Sequence, residues 1–350
     1  LKTSASVQIL LESPWIPGTV GLALTLDRRH RSDMEPLSGR TQLEVELLGS
    51  MTTPTSLAPQ VRGAPSNGGL RGHAFRGLRL VERALRPGAG DKTGAPPKTF
   101  LFLCYDAALG TAVNSIPVFD ALKEQQPGCR IVVASRGIAF DTLRSHPGID
   151  DIFETPDPYG NLFRTVAAIR SELASRRIKI DCTMTTWGNQ RTRIALLALL
   201  SSPGIRVGLT GVPDLYHRAI SYDRRYSVLQ NNLNCLALIG LEPRHLEPRV
   251  YFTPADLAQA EALIAGFADG RPIATIVTQT SGGQPTKWYD DRFSTVADFI
   301  ASRGYGCVFV GTKGESEAID NIRDGMARPG LSVAGKTPIG VLMALLCLSD

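Results

Sequence analysis

No two of the six cysteines, Cys104, Cys129, Cys182, Cys235, Cys307 and Cys347, fall at a CxxC spacing, and none has a histidine at metal-ligand spacing. The five histidines, His30, His73, His146, His217 and His245, are scattered. A zinc site is therefore disfavoured, and several cysteines sit in apolar runs, where a thiol acts as a small hydrophobe. That usage points to a reducing cytosol. No apolar run reaches the length that spans a membrane. The apolar patches near Leu1 are short and broken by proline and charge, which is not the pattern of a signal peptide. A dense Lys/Arg stripe interleaved with aromatics is also missing, which disfavours nucleic acid as a partner. The net charge of +5 is mildly basic. It fits an anionic ligand or an anionic membrane surface without demanding either.

What is present is a globular composition, 43% hydrophobic and 20% charged over 350 residues, long enough for two domains. The chain begins at Leu1 rather than Met and stops at Asp350 directly after the apolar stretch MALLCLSD, so a fragment is expected. Residues 1–50 hold strand-like runs at 7–11 and 41–48 with no clear link to the rest of the chain; Met51 is a candidate natural start. From Met51 the polar, Pro/Gly/Ser-rich MTTPTSLAPQVRGAPSNGG reads as a disordered tail. HAFRGLRLVERALR (73–86) reads as a short basic helix, with Phe75, Leu78, Val81 and Leu85 on one face. Such a helix either packs on the domain behind it or lies on an anionic membrane. PGAGDKTGAPPK (87–98) is a linker by composition.

A regular strand–helix alternation then begins. Strands are expected at 99–104, 130–134, 151–154, 180–185 and 205–209, with helices at 111–126, 138–144, 162–176, 191–200 and 228–239. Prolines 243 and 248 mark a hinge. The second half restarts with a helix at 254–267, capped by Thr253. Strands at 273–277, 306–310 and 331–334 alternate with helices at 290–302, 315–326 and 338–348. The pattern is α/β: two doubly wound, Rossmann-like domains facing a cleft, 98–245 and 246–350, the second incomplete.

The central stretch is TSGGQPTKWYDDRF, from Thr280 to Phe293. It joins an apolar strand to a helix through a small-residue loop, where backbone N–H groups and a helix N-terminus suit a phosphate. Gly282 and Gly283 let the backbone approach a ligand, Thr280 and Ser281 offer hydroxyls, and Lys287 offers a point charge. The alternative is an ordinary turn with one solvated lysine.

Six segments, taken in order, resemble the family-9 glycosyltransferases, the heptosyltransferase group of lipopolysaccharide synthesis. They are LGTAVNSIPVFDALKEQQPGCRI, TTWGNQRTRIALLALLSSPGIRVG, YSVLQNNLNCLALIGL, TSGGQPTKWYDDRF, VFVGTKGESE and LSVAGKTPIGVLMALLCLSD, within residues 97–350. The resemblance implies a GT-B fold and an inverting transfer that needs no metal. It also implies a nucleotide-sugar donor, ADP-heptose-like, held by the second domain, and a lipid-linked or surface-glycan acceptor on the first. Lys287 would contact the donor diphosphate, Thr280, Ser281 and Gly282 would line its loop, and Glu315, ahead of Glu317, would take the ribose hydroxyls. Asn189 and Arg191 would face an anionic acceptor, or else serve as turn and solvated residues. Trp187 would stack on a sugar or pack in a wall; Arg206 and Arg225 are further acceptor-side candidates against a solvated reading. Trp288 would anchor its loop by packing.

Two departures stand out. Where the family's first loop carries Gly-Asp, the Asp being its candidate base, this chain has Gly110 followed by Thr111. Threonine does not take a proton near neutral pH, and Asp106, four positions earlier, is the substitute, unless it is a turn or cap residue. The family's next segment, an Asp-Ser-Gly-Pro-x-His loop on the donor, would lie beyond Asp350. A non-catalytic relative that only binds nucleotide or glycan, and a GT-B-shaped epimerase, are the alternatives. A monomer in the cytosol, with peripheral contact to the inner face of a membrane and no cofactor, completes the expectation.

Overall fold

The computed structural model describes residues 63–66, 68–85, 96–105, 108–279 and 288–350. The runs at 7–11 and 41–48, the tail from Met51, most of the linker, Asp106, Thr280, Ser281, Gly282, Gly283 and Lys287 lie outside the described residues. The described chain divides between Arg249 and Val250 into two units.

The first unit is built on β1 (Thr99–Cys104), whose TFLFLC is buried at every position but the first. An unbroken apolar strand of this kind needs cover on both faces, which parallel crossovers supply. In chain order α1 (Gly69–Leu85) precedes β1, then come α2 (Leu109–Val113), α3 (Ile116–Gln125), β2 (Arg130–Ser135), α4 (Gly137–Leu143), β3 (Asp151–Glu154) and α5 (Leu162–Ser175). β4 (Cys182–Thr185), α6 (Thr192–Ser201), β5 (Ile205–Leu209), β6 (Arg218–Ile220) and α7 (Val228–Leu233) complete the unit. The strands form one parallel sheet in the order β3-β2-β1-β4-β5-β6. That is the doubly wound order, with its reversal between β1 and β4. Leu101, Leu103, Val132, Ile169, Ile194 and Leu197 lie in one core cluster on this sheet.

Three local expectations change. The helix expected at 111–126 is two helices, because Pro117 has no N–H to donate and its ring would strike the carbonyl four residues back; the break falls at Asn114–Ser115. The helix expected at 228–239 turns into a 3₁₀ segment at Asn234–Ile239. The short strand β6 is an addition; it pairs with β5 and also receives Gly63 in an antiparallel bridge to Ile220, with the Ala64 N–H donating to the Ala219 carbonyl at 2.8 Å.

Helix α1 packs on the first unit, but not by the face its spacing suggests. Phe75 is inside, against Ala195, Leu199, Val212, Leu215 and Tyr216. Leu78 and Val81 point outward, 43% and 54% exposed. The side of α1 that turns inward carries Glu82, which meets a buried cation. The Arg206 side chain on β5 is 0% exposed and that of Glu82 7% exposed. The pair is bidentate, with Nη1 and Nη2 each 2.6 Å from a carboxylate oxygen, and Nε donates to the Leu215 carbonyl at 2.9 Å. A buried guanidinium requires such a partner, and that requirement fixes the rotation of the helix. Arg79 donates to the Tyr216 carbonyl, and Arg76 lies 3.6 Å from Asp214.

The second unit runs α8 (Pro254–Ile264), β7 (Ile273–Val277), α9 (Asp290–Ser302), β8 (Gly306–Val310), α10 (Ser316–Asp324), β9 (Leu331–Ser332) and α11 (Ile339–Leu348). Its described strands form a parallel sheet, β7-β8-β9. Thr253 caps α8 through a reciprocal capping box with Asp256. Ile273, Val308, Val310, Val341, Ala344 and Leu345 form its main core.

Candidate functional site

The first unit's loops converge at the C-terminal ends of β1 and β4, the point of strand-order reversal where doubly wound sheets bind ligands. Buried amide side chains hold them there. Asn189 is fully buried, and its Oδ1 accepts from the Tyr105 N–H at 2.8 Å. Tyr105 is the last described residue before the Asp106 loop, and its hydroxyl lies 2.7 Å from Thr155 Oγ1 at the end of β3. Burial pushes the Tyr105 phenol well above its usual range, so it stays protonated. The Ser115 and Thr186 hydroxyls are 3.1 Å apart. Asn232 on α7 accepts from the Trp187 N–H at 2.8 Å and donates to the Asn114 carbonyl at 2.9 Å. Its neighbour Asn231 binds the Asp223, Tyr226 and Ser227 carbonyls and the Asp223 N–H, pinning the segment that carries Tyr222.

This arrangement sorts the sequence candidates of the first unit. Asn189 is buried, and its side chain braces the loop through the Tyr105 N–H. Arg191 is exposed, its guanidinium 5.7 Å from the centre of the Tyr159 ring. Trp187 is half-buried and packs against Tyr222, ring centres 4.3 Å apart, so one part of the indole is wall and the rest is open. Gly110 and Thr111 lie in α2, Gly110 exposed and Thr111 half-buried. Arg206 is corrected: it is fully buried on Glu82 and faces no acceptor. Arg225 is exposed and forks onto Asp223. Asn231 and Asn232 carry no role in the sequence reading. Their signal is a cluster of amides, Gln230, Asn231, Asn232 and Asn234, set among the apolar residues of 228–239, where a buried polar group must find partners.

In the second unit, Glu315 ends a 3₁₀ turn (Lys313–Glu315) after β8. Its Oε2 accepts from the Thr312 N–H at 2.7 Å, closing a capping box. Gly335, at φ 71°, donates its N–H to the Gly311 carbonyl at 2.8 Å, and a Cβ there would lie 2.9 Å from Lys313 Cα. The loops after β8 and β9 are thus stitched backbone to backbone. Glu317 is exposed in the first turn of α10. Trp288 meets Phe293 edge-on at 5.2 Å and remains 38% exposed, a packing anchor where α9 begins. Among the described residues no three His, Cys, Asp or Glu side chains are grouped to hold a metal. No described helix is long and apolar enough to cross a membrane.

The fold is α/β, of the GT-B glycosyltransferase type. Residues 192–350 match the sequence profile of glycosyltransferase family 9 (heptosyltransferase), which bears out the resemblance read from the motifs. Similar solved structures agree in fold. The glycosyl transferase family 9 protein of Veillonella parvula has a TM-score of 0.64 at 17% identity, over 71% of this chain and 73% of that one. ADP-heptose lps heptosyltransferase II of E. coli gives 0.60 at 14%, over 71% and 76%. An E. coli heptosyltransferase with ADP-2-deoxy-2-fluoro heptose gives 0.51 at 11%, over 71% and 86%. No curated protein sequence matches the chain. Together these findings support a glycosyltransferase.

Proposed function

We propose that the protein is an inverting glycosyltransferase. It moves a heptose-like sugar from a nucleotide diphosphate donor to a lipopolysaccharide or other surface-glycan acceptor, and its chemistry needs no metal. The observation that carries this reading is the family-9 match, which spans β7, its loop and α9 and extends through the Glu315 turn. Relatives in that fold are described with ADP-heptose chemistry, which favours an ADP-sugar donor here. In the reaction an acceptor hydroxyl attacks the anomeric carbon as the bond to the diphosphate breaks. The sugar passes through an oxocarbenium-like state and the hydroxyl proton goes to a base. Charge then builds on the departing diphosphate. Lys287 and the amides around Thr280, Ser281 and Gly282 would stabilise it. Asp290 and Asp291 already occupy the first turn of α9, so the lysine carries more of this work than the helix dipole does. Glu315 spends one oxygen on its cap, and the other is offered to the ribose. Asp106 is the proposed base, and Arg191 with Trp187 would meet the acceptor. This reading places the enzyme on the cytoplasmic side, with its acceptor in the membrane.

Calorimetric titration of ADP, UDP and GDP tests the donor site. One nucleotide should bind in the micromolar range, and Lys287→Ala should lose about 1.5–3 kcal/mol, as expected for a charge-assisted contact. Absence of binding by all three would refute the donor loop. A second reading, a homologue that binds but does not turn over, is favoured by Thr111 standing where a base is expected. Asp106→Asn separates the two: an enzyme loses turnover and keeps donor affinity, whereas a binding protein has no turnover to lose.

A further inference from the structure

The two units are joined through LEPRHLEPRV (241–250), a stretch without regular structure. Two glutamine side chains of the first unit hold its first half. Gln125, the last residue of α3, pairs with Glu242 as a neighbouring strand would. Its Nε2 donates to the Glu242 carbonyl at 2.9 Å, and its Oε1 accepts from the Glu242 N–H at 2.8 Å. Gln230 on α7 donates from Nε2 to the Pro243 carbonyl at 3.0 Å, and its Oε1 lies 3.3 Å from His245 Nδ1. The same Nε2 is 3.1 Å from Asn234 Oδ1, which fixes the way this amide points. Within the segment, the Arg244 N–H donates to the Glu242 carbonyl at 2.9 Å and its Nε to the Glu242 carboxylate at 2.8 Å. Past His245 this pattern stops. Among the described residues no backbone hydrogen bond involves 246–252, and Glu247 meets its near neighbour His245. At Val250 and Phe252 the chain enters the core of the second unit. Prolines 243 and 248 are therefore not equivalent: the first lies in the held part and the second in the part that follows it.

We propose that Gln125 and Gln230 form a latch that makes 241–245 an arm of the first unit and confines the freedom of the join to 246–249. Four residues reach at most about 14 Å and the nine of 241–249 about 30 Å, so the latch roughly halves the length of the tether. Its contacts to Glu242 are solvent-exposed hydrogen bonds, individually weak, and they open without disturbing any strand or helix. The inference rests on neither the donor nor the acceptor assignment, and its test uses no substrate.

Amide hydrogen exchange on the full chain reads the latch. In the parent, the Glu242 amide should exchange at least about tenfold more slowly than those of Leu246 and Glu247. In the double variant Gln125→Ala, Gln230→Ala it should speed up at least about tenfold and approach its neighbours. Alanine keeps the propensity of both helices, and an unchanged melting curve confirms that the first unit is intact. Glu124→Ala, at an exposed site beside Gln125, should exchange as the parent does. The tether is read by spin labels at two exposed sites, Phe163→Cys on α5 and Thr295→Cys on α9. Their distance distribution should be broader when the latch is removed. Three results would overturn the proposal: a Glu242 amide that exchanges as fast as that of Leu246 in the parent; slow exchange retained in the double variant; or the same distance distribution with and without the latch.

Discussion

Removing the Glu82 charge tests how the first unit holds its N-terminal helix. In Glu82→Gln the amide keeps one acceptor for the guanidinium but turns an N–H₂ group toward it. The Arg206 side chain, 0% exposed, is then left as a buried cation without a counter-ion. Breaking such a pair from one side costs about 3–5 kcal/mol, several times the worth of an exposed ion pair. The cost has two routes: the unit unfolds earlier, or α1 lifts off and lets water reach Arg206. Urea unfolding followed by tryptophan fluorescence reads the first, and amide hydrogen exchange across 69–85 reads the second. The double change Glu82→Gln, Arg206→Met should recover much of the loss, because an apolar side chain of similar size needs no partner. The interaction term of that cycle should exceed about 2 kcal/mol. A single-variant effect below about 0.5 kcal/mol in both assays would refute the assignment of this pair as the clamp.

Two further outcomes are expected from the geometry. Gly208 sits at φ 147°, and a Cβ there would fall 2.3 Å from the Thr185 carbonyl oxygen, so Gly208→Ala should cost at least about 2 kcal/mol in the same unfolding assay; a neutral result would refute the close β4–β5 approach. Burial pushes the Cys235 thiol up to about 12 and raises that of Cys182 as well, whereas an unfolded thiol titrates near 8.5. Above that pH the unfolded chain gives up protons that the folded chain keeps. Stability should therefore be whole below about pH 8 and fall as pH rises, by up to about 1.4 kcal/mol per pH unit for each thiol. Urea midpoints at pH 8 and pH 10 measure this. A flat or rising midpoint would contradict the burial of both thiols.

The parts of the fold that read well from sequence are those whose cause is local. TFLFLC announces a strand covered on both faces, and Thr253-Pro254 with Asp256 announces a helix start, because each signal is complete within a few residues. The parts that do not read well depend on distant partners. Arg206 looks like any strand arginine until Glu82, 124 residues upstream, is placed beside it. The same contact decides which face of α1 turns inward, against its apolar spacing. β6 is three residues long, too short for a period-2 pattern, and is a strand only because β5 and Gly63 pair with it. At the candidate site, the segments can be recognised but not the contacts of each residue: Asn189 reads as an acceptor contact or a turn residue, and nothing in its own segment shows that its side chain meets the Tyr105 N–H, 84 residues upstream.

The bridge from Gly63 and Ala64 onto β6 bears on self-association. β6 ends the six-stranded sheet, and a bare sheet edge offers unpaired N–H and C=O groups to any other extended chain. Here Gly63 and Ala64 meet part of that row, and α1 begins within a few residues and lies over Tyr216 and Leu215. A chain shortened to begin at β1 would keep every strand of the sheet. It would also bare that edge, uncover the pocket filled by Phe75, and leave Arg206 with its charge unanswered. Such a protein would tend to pair edge to edge with its own copies, so the stretch preceding the family pattern acts as a guard on the sheet's flank.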